Sequence, residues 1–342
     1  MNTHPRRLRV GRRWIAVCCA AGALVGAACA GDATLPDEVV GSIAEATTTP
    51  TTAPKACPDP SAYASMTYPA LTELPAPGAM PDGTRMAEIQ ARGQLVVGVS
   101  ADTLLFGSRN TLSGNIEGFD IDVLKTIARA IFGADGEDRI VYKVITYAQR
   151  LPSLEAGAVD IVAHTMTINC NRWLRIAFSS VYYQAGQKVL VKDKERFPDV
   201  FALRDAGARV CAPEGSTNID EISKPLYAGI IVVPKPDISD CLVAMQQGQA
   251  EATTGDDTVL AGFAAQDPST ELVGEAFTEE PYGLGMNRND VDLVQFVNAV
   301  LDQARTDGTL EDIAKTWLVD TGALDAGDVP PVPEPDFTRE LP

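Results

Sequence analysis

The residues best placed to do chemistry sit between Asp160 and Tyr183. Ile161 to Ala163 reads as a short buried strand, and it runs out into two hydroxyl residues, Thr165 and Thr167, with Arg172 five positions further on. In open α/β sheets, ligands bind outside the carboxyl ends of strands. This stretch therefore aims two hydroxyls and one guanidinium at a crevice. A guanidinium is a planar fork of donors that matches a carboxylate bidentately. The chemistry these residue types suit is the grip of a small carboxylate. Metal chemistry has little support, because the only histidines are His4 and His164 and there is no Cys-x-x-Cys.

The charge balance sharpens that reading. The 342 residues carry a formal charge of −18. Residues 1–28 contain five Arg and no acid, so the rest holds 23 basic residues against 46 acidic ones. A body so acidic repels nucleic acid and anionic lipid. If it takes an anionic ligand, the positive charge must be local, in individual Arg or Lys residues lining a cleft.

Stepping along the elements, Met86 to Arg92 is a helix stopped by Gly93, and Leu95 to Val99 is an apolar run suited to a buried strand. Phe119, Val123, Ile127 and Ile131 form one helical stripe. Strands are expected at Ile140 to Ile145 and Asp160 to Ala163, with a helix at Arg150 to Ala156 between them. The alternation βαβαβ predicts a parallel sheet with right-handed crossovers. The same alternation restarts near Lys188 and runs to about Ala265, so two lobes are expected. A long helix with Val294, Val297 and Leu301 on one face follows, then a last one with Trp317.

The two ends read differently. Arg6 to Arg13 followed by apolar Trp14 to Ala28 is an export signal, too short for a span of ~20 residues. Gly26-Ala27-Ala28-Cys29 resembles a lipoprotein signal in which Cys29 becomes lipidated, although Gly26 replaces the usual larger aliphatic residue. An ordinary secretory signal and an uncleaved anchor are the alternatives, and all three export the body. Residues 29–84, rich in Ala, Thr and Pro, read as a linker, and residues 321–342 as a fraying tail. Export permits disulfides. Four cysteines remain in the mature body, and Cys211–Cys241 with Cys57–Cys170 is the preferred pairing of three possible ones, because Cys211 and Cys241 share a later segment.

Four stretches then resemble the amino-acid-binding proteins of ABC importers, the extracellular family that includes glutamine- and glutamate-binding proteins. They are Gly118-Phe119-Asp120-Ile121-Asp122, Thr167 to Arg172 with Phe178-Ser179, Gly255-Asp256-Asp257, and Tyr282-Gly283-Leu284-Gly285. The resemblance implies an α/β fold of two lobes, each a sheet flanked by helices, joined by two hinge strands. Lobe 1 would be residues 85–187 and 286–320, and lobe 2 residues 188–285.

It also implies roles. Arg172 would pair with the ligand α-carboxylate, helped by the Thr167 hydroxyl, the backbone at Thr165 and the backbone N–H at Thr217. Asp257 would take the α-ammonium, with Asp256 the rival for capping the following helix. Tyr147 would pack on the ligand. Ser100 stands where many relatives have Asp, so Arg109 and Lys188 would receive a side-chain carboxylate. The implied ligands are glutamate, aspartate and their amides, with no cofactor. The implied partner is a membrane permease, or else a membrane sensor, and the implied body is a lipid-anchored monomer on the outer face of the cell membrane. An enzyme on the same scaffold, of the dehydratase type, is the remaining alternative. It finds no Gly-x-Ser-x-Gly, His-Glu-x-x-His or phosphate loop here.

Overall fold

The structure is a computed structural model that describes residues 65–340. These lie within one of the two units into which the chain divides, Ala53–Pro342. The signal, Cys29 and Cys57 fall outside the described residues.

Helix α1 (Arg85–Arg92) opens on Thr84, whose hydroxyl accepts from Ala87 N, and closes on Gly93 in the left-handed conformation. Strand β1 (Leu95–Val99) follows, then three two- or three-residue strands, β2 (Asp102–Thr103), β3 (Gly107–Arg109) and β4 (Ile116–Glu117), which form a small antiparallel sheet. Helix α2 (Phe119–Phe132) buries its predicted stripe. Next come β5 (Ile140–Val144), α3 (Arg150–Glu155), β6 (Ile161–Ala163), the single turn α4 (Cys170–Trp173) and β7 (Ile176–Phe178). Strand β8 (Tyr183–Val191) is long because it leaves one lobe and enters the other.

The second lobe contains α5 (Val200–Asp205), β9 (Arg209–Pro213), α6 (Thr217–Ile222), β10 (Ile231–Lys235), α7 (Ile238–Gln246), β11 (Ala252–Asp256), α8 (Asp257–Gln266) and β12 (Glu271–Val273). Strand β13 (Glu279–Tyr282) returns, followed by β14 (Gly285–Asn287), α9 (Val291–Thr306) and α10 (Thr309–Ala314).

Two main sheets result. Lobe 1 has the order β5-β1-β6-β14-β7, with β1 parallel to β5 and β6, and β14 antiparallel to β6 and β7. Lobe 2 has β10-β9-β11-β8-β12, parallel among the first three and antiparallel where β8 enters. Strands β8 and β13 pair antiparallel from Tyr183↔Tyr282 to Gly186↔Glu279, and they are the two crossings. Lobe 1 has one continuous apolar core, and lobe 2 has a cluster on each face of its sheet. Cys211 on β9 and Cys241 on α7 form a disulfide, and Cys170 is also disulfide-bonded.

The ends depart from expectation. Residues 66–80 are packed rather than linker: Tyr68 and Met80 join the lobe 1 core, and Asn298 Nδ2 donates to Thr67 Oγ1 and to the Tyr68 carbonyl. The tail does not fray either. Met66 bridges Asp336 in parallel, and the Arg339 guanidinium lies 3.8 Å over the Trp173 ring. The composition of both segments is poor in periodic apolar residues, but a single aromatic or cation at the right place is enough to dock an extended strand.

Candidate functional site

The carboxyl end of β6 leads into the site. Thr165 has φ 41°, a strained conformation for a β-branched residue. It is held there by Asp120 at the start of α2, whose Oδ2 accepts from Thr165 N at 2.8 Å and whose Oδ1 accepts from Tyr182 Oη at 2.6 Å. The Thr165 N–H expected to help a ligand is therefore spent on Asp120. The strain turns the chain so that Thr167 and the turn α4 face lobe 2. Asn169 caps that turn, accepting from Arg172 N at 2.9 Å, and so fixes the root of the Arg172 side chain.

Arg172 is buried. Its Nη1 donates to the Thr167 carbonyl at 2.6 Å and its Nη2 reaches the Gly215 carbonyl in lobe 2 at 3.3 Å. Beside it stands a second buried guanidinium that the sequence reading passed over, Arg150. Arg150 donates to the carbonyls of Tyr147 (3.1 Å), His164 (3.1 Å) and Gly215 (3.1 Å), and lies 4.5 Å over the Tyr147 ring. Neither guanidinium has a carboxylate within ion-pair distance among the described residues. Burial and the neighbouring Arg150 push the Arg172 pKa down to about 9. Two buried cations side by side, satisfied only by carbonyls, make a site that an anion would relieve. The signal for Arg150 was available: like Arg172, it follows the carboxyl end of a lobe 1 strand.

Tyr147 is buried at the base, its ring 4.6 Å from that of His164. His164 is neutral, its pKa pushed down to about 3 by burial and by Arg150.

Lobe 2 contributes the acid. Asp256, the last residue of β11, is buried, accepting from Tyr282 Oη at 2.6 Å and from Asn218 Nδ2 at 2.8 Å. Burial, and then the nearby Glu280, push its pKa up to about 7, and its charge acts on both Arg150 and Arg172. Asp257, expected to meet the ammonium, is turned elsewhere. Its Oδ1 accepts from Thr258 N at 2.7 Å and Gly186 N at 3.3 Å, with Lys188 as its cation. Asp256, rather than Asp257, is thus the acid that acts on the two guanidiniums. Asp256 ends a strand, so its side chain leaves on the cleft face, whereas Asp257 begins α8 and folds onto the helix start and the crossing strand.

Glu280, on the crossing strand β13, was also missed. It is buried and accepts three hydroxyls: Thr167 of lobe 1 at 2.6 Å, Thr217 of lobe 2 at 2.7 Å, and Thr278 at 2.6 Å. The Thr167 and Thr217 hydroxyls thus meet between the lobes, 3.3 Å apart, bridged by a carboxylate. A cavity of about 560 Å³ opens beside them, between Asn169, Asp220 and Pro281.

Three expected residues lie outside this cluster. Ser100 gives its hydroxyl to Asp102 Oδ1 at 2.7 Å. Arg109 is exposed and donates to the Gly114 carbonyl. Lys188 is on the Asp257 side of β8. Gly215 of lobe 2 packs tightly on lobe 1. It has φ 76°, and a Cβ there would lie 2.9 Å from Ala148 Cα.

A cleft between two sheet lobes crossed by two strands, with cations on one wall and an acid on the other, defines a two-lobed binding protein, a class that works by hinge closure around ligands. Residues 95–320 match the bacterial extracellular solute-binding proteins, family 3, and the chain belongs to that family. It is 36% identical over 233 residues to the ABC transporter glutamine-binding protein GlnH of Bacillus subtilis, covering 68% of this chain and 84% of that one. It is 30% identical over 227 residues to the glutamate-binding protein GluB of Corynebacterium glutamicum, covering 64% and 76%. Among solved structures, a mutant of ArgBP from T. maritima superposes with a TM-score of 0.62 at 30% identity, over 68% of this chain and 98% of that one. Among the described residues, no helix is long and apolar enough to cross a membrane.

Proposed function

We propose that this protein is the binding component of an amino-acid importer, a receptor without catalytic activity that takes glutamate, aspartate or their amides into the cleft. The observation behind this reading is the pair of buried guanidiniums, Arg150 and Arg172, facing buried Asp256 across the lobes. Arg172 takes the α-carboxylate bidentately. Asp256, not Asp257, takes the α-ammonium, which returns its carboxyl to the ionised form. Arg150 reads the ligand side chain, a task first expected of Arg109 and Lys188. Thr167 and Thr217, whose hydroxyl protons lie on Glu280, offer the ligand their oxygens as acceptors, and the Thr217 N–H at the start of α6 adds a donor. Tyr147 shapes the base of the pocket by holding Arg150. Glutamine and glutamate are the ligands in the names of the two curated relatives, which supports the acidic-or-amide class. Lipidation at Cys29 tethers the body outside the membrane, where the closed form docks on permease subunits.

Isothermal titration with glutamate, aspartate, glutamine and asparagine tests the reading. Binding of at least one is expected, and Arg172→Ala is expected to lower its affinity at least a hundredfold with the fold intact. That loss corresponds to about 3 kcal/mol, the scale for stranding one member of a buried charge pair. Failure of every standard amino acid to bind overturns the reading.

A further inference from the structure

Helix α7 of lobe 2 begins at Ile238, and its own cap residue, Asp237, makes no side-chain bond to it. The cap comes from the other lobe. Asp102 Oδ2, on β2 of lobe 1, accepts from Ser239 Oγ at 2.6 Å and from Ser239 N at 3.3 Å. These residues are 137 positions apart. The Asp102 carboxylate is oriented before it gets there. Its Oδ1 accepts from Ser100 Oγ at 2.7 Å, and that hydroxyl also meets the buried Thr103 Oγ1 at 2.9 Å. The receiving helix is equally well anchored, since Cys241 within it is bonded to Cys211 of the lobe 2 sheet. Two residues further along the same lobe 1 segment, Leu104 packs tightly on α8 at Gly262, where a Cβ would stand 3.2 Å from Leu104 Cβ.

We propose that Asp102 is a closure latch, a positioning residue that touches no ligand and sets the lifetime of the closed state by capping α7 across the cleft. The inference rests on the receptor reading above and deepens it. Hinge opening separates β2 from α7, so the latch exists only when the lobes are together. The ligand is then held by two independent sets of contacts: its own, and the trans-cap on the rim. Asp237 stands close enough to Asp102 for their like charges to repel, which weakens the latch.

Removing a helix cap changes an equilibrium by roughly threefold to thirtyfold. Stopped-flow and titration with glutamine and glutamate should therefore show Asp102→Ala raising koff by about that factor, with kon within twofold of wild type. Ser239→Ala should act in the same direction, and the double variant should be little worse than Asp102→Ala alone, as coupled partners require. Asp237→Asn should lengthen the bound state. Unchanged koff in Asp102→Ala, or strictly additive effects of the two alanine variants, overturns the latch while leaving the receptor reading standing. If wild type binds neither amino acid nor any other, both fall. Should Asp102→Ala not fold by circular dichroism, Ser239→Ala and Asp237→Asn decide alone, through opposite changes in koff.

Discussion

Arg150 of lobe 1 donates from Nη2 to the Gly215 carbonyl of lobe 2 at 3.1 Å, and Arg172 reaches the same oxygen at 3.3 Å. One carbonyl thus receives two cations from the opposite wall. A carbonyl offers partial charge only, so the pair keeps most of its appetite for an anion.

Arg150 is expected to set side-chain preference. Arg150→Met should lower affinity for glutamate and glutamine at least tenfold while narrowing the differences among standard amino acids. A hydrogen-bonding reader, once removed, takes its discrimination with it. Competition titrations across the standard amino acids check this, and an unaltered preference order would remove Arg150 from the ligand.

The two adjacent acids give a direct comparison. Asp256→Asn should cost about a hundredfold in affinity, by taking away the charge that meets the ammonium. Asp257→Asn keeps an acceptor for Thr258 N and Gly186 N and should stay within about threefold of wild type. The opposite pattern in calorimetry would restore Asp257 as the ligand residue.

Asp256 also predicts a pH dependence. Its carboxyl is raised from 3.8 to about 7 in the folded protein by burial and Glu280. Between those values the folded state binds a proton that the unfolded state does not. The stability of the unliganded protein is therefore greatest toward the acid side of this window and declines as pH rises through about 7. Ligand binding runs the other way, because an ammonium needs the ionised acid. Affinity should fall by up to about tenfold per pH unit below 7, and Asp256→Asn should abolish that slope. Thermal melts without ligand and titrations with it, from pH 5.5 to 8, separate the two trends.

The docked termini make a stability prediction. Arg339 stacks on Trp173, the residue after Arg172, and its N–H donates to the Thr67 carbonyl at 3.2 Å. Arg339→Ala should cost about 1 kcal/mol, a fall of roughly 2–4 °C in Tm. Scanning calorimetry reads it, and an unchanged Tm would show the tail to be unattached in solution.

The local elements were legible because they follow from neighbours in the chain. The stripe on α2, the Gly93 stop and the apolar run of β1 each need only a few residues to declare themselves. The placement of Arg172 beyond β6 was legible too, since strand end, hydroxyls and guanidinium lie within one stretch. The short strands β7, β12 and β13 were not, being three or four residues long and stable only through their partners. Glu280 follows another acid, Glu279, and only the crossing of β13 between the lobes turns it inward onto Thr167 and Thr217.

By itself, then, the sequence determined the alternating α/β lobes and placed Arg172 beyond the carboxyl end of a strand. Which of Asp256 and Asp257 faces that arginine was decided by tertiary structure, because a single residue at the strand-to-helix junction reverses the direction of a side chain. The meeting of Arg150 with Gly215, and of Asp102 with Ser239, was decided there as well. Those contacts join residues far apart in the chain, and only the packing of one lobe against the other brings them within reach.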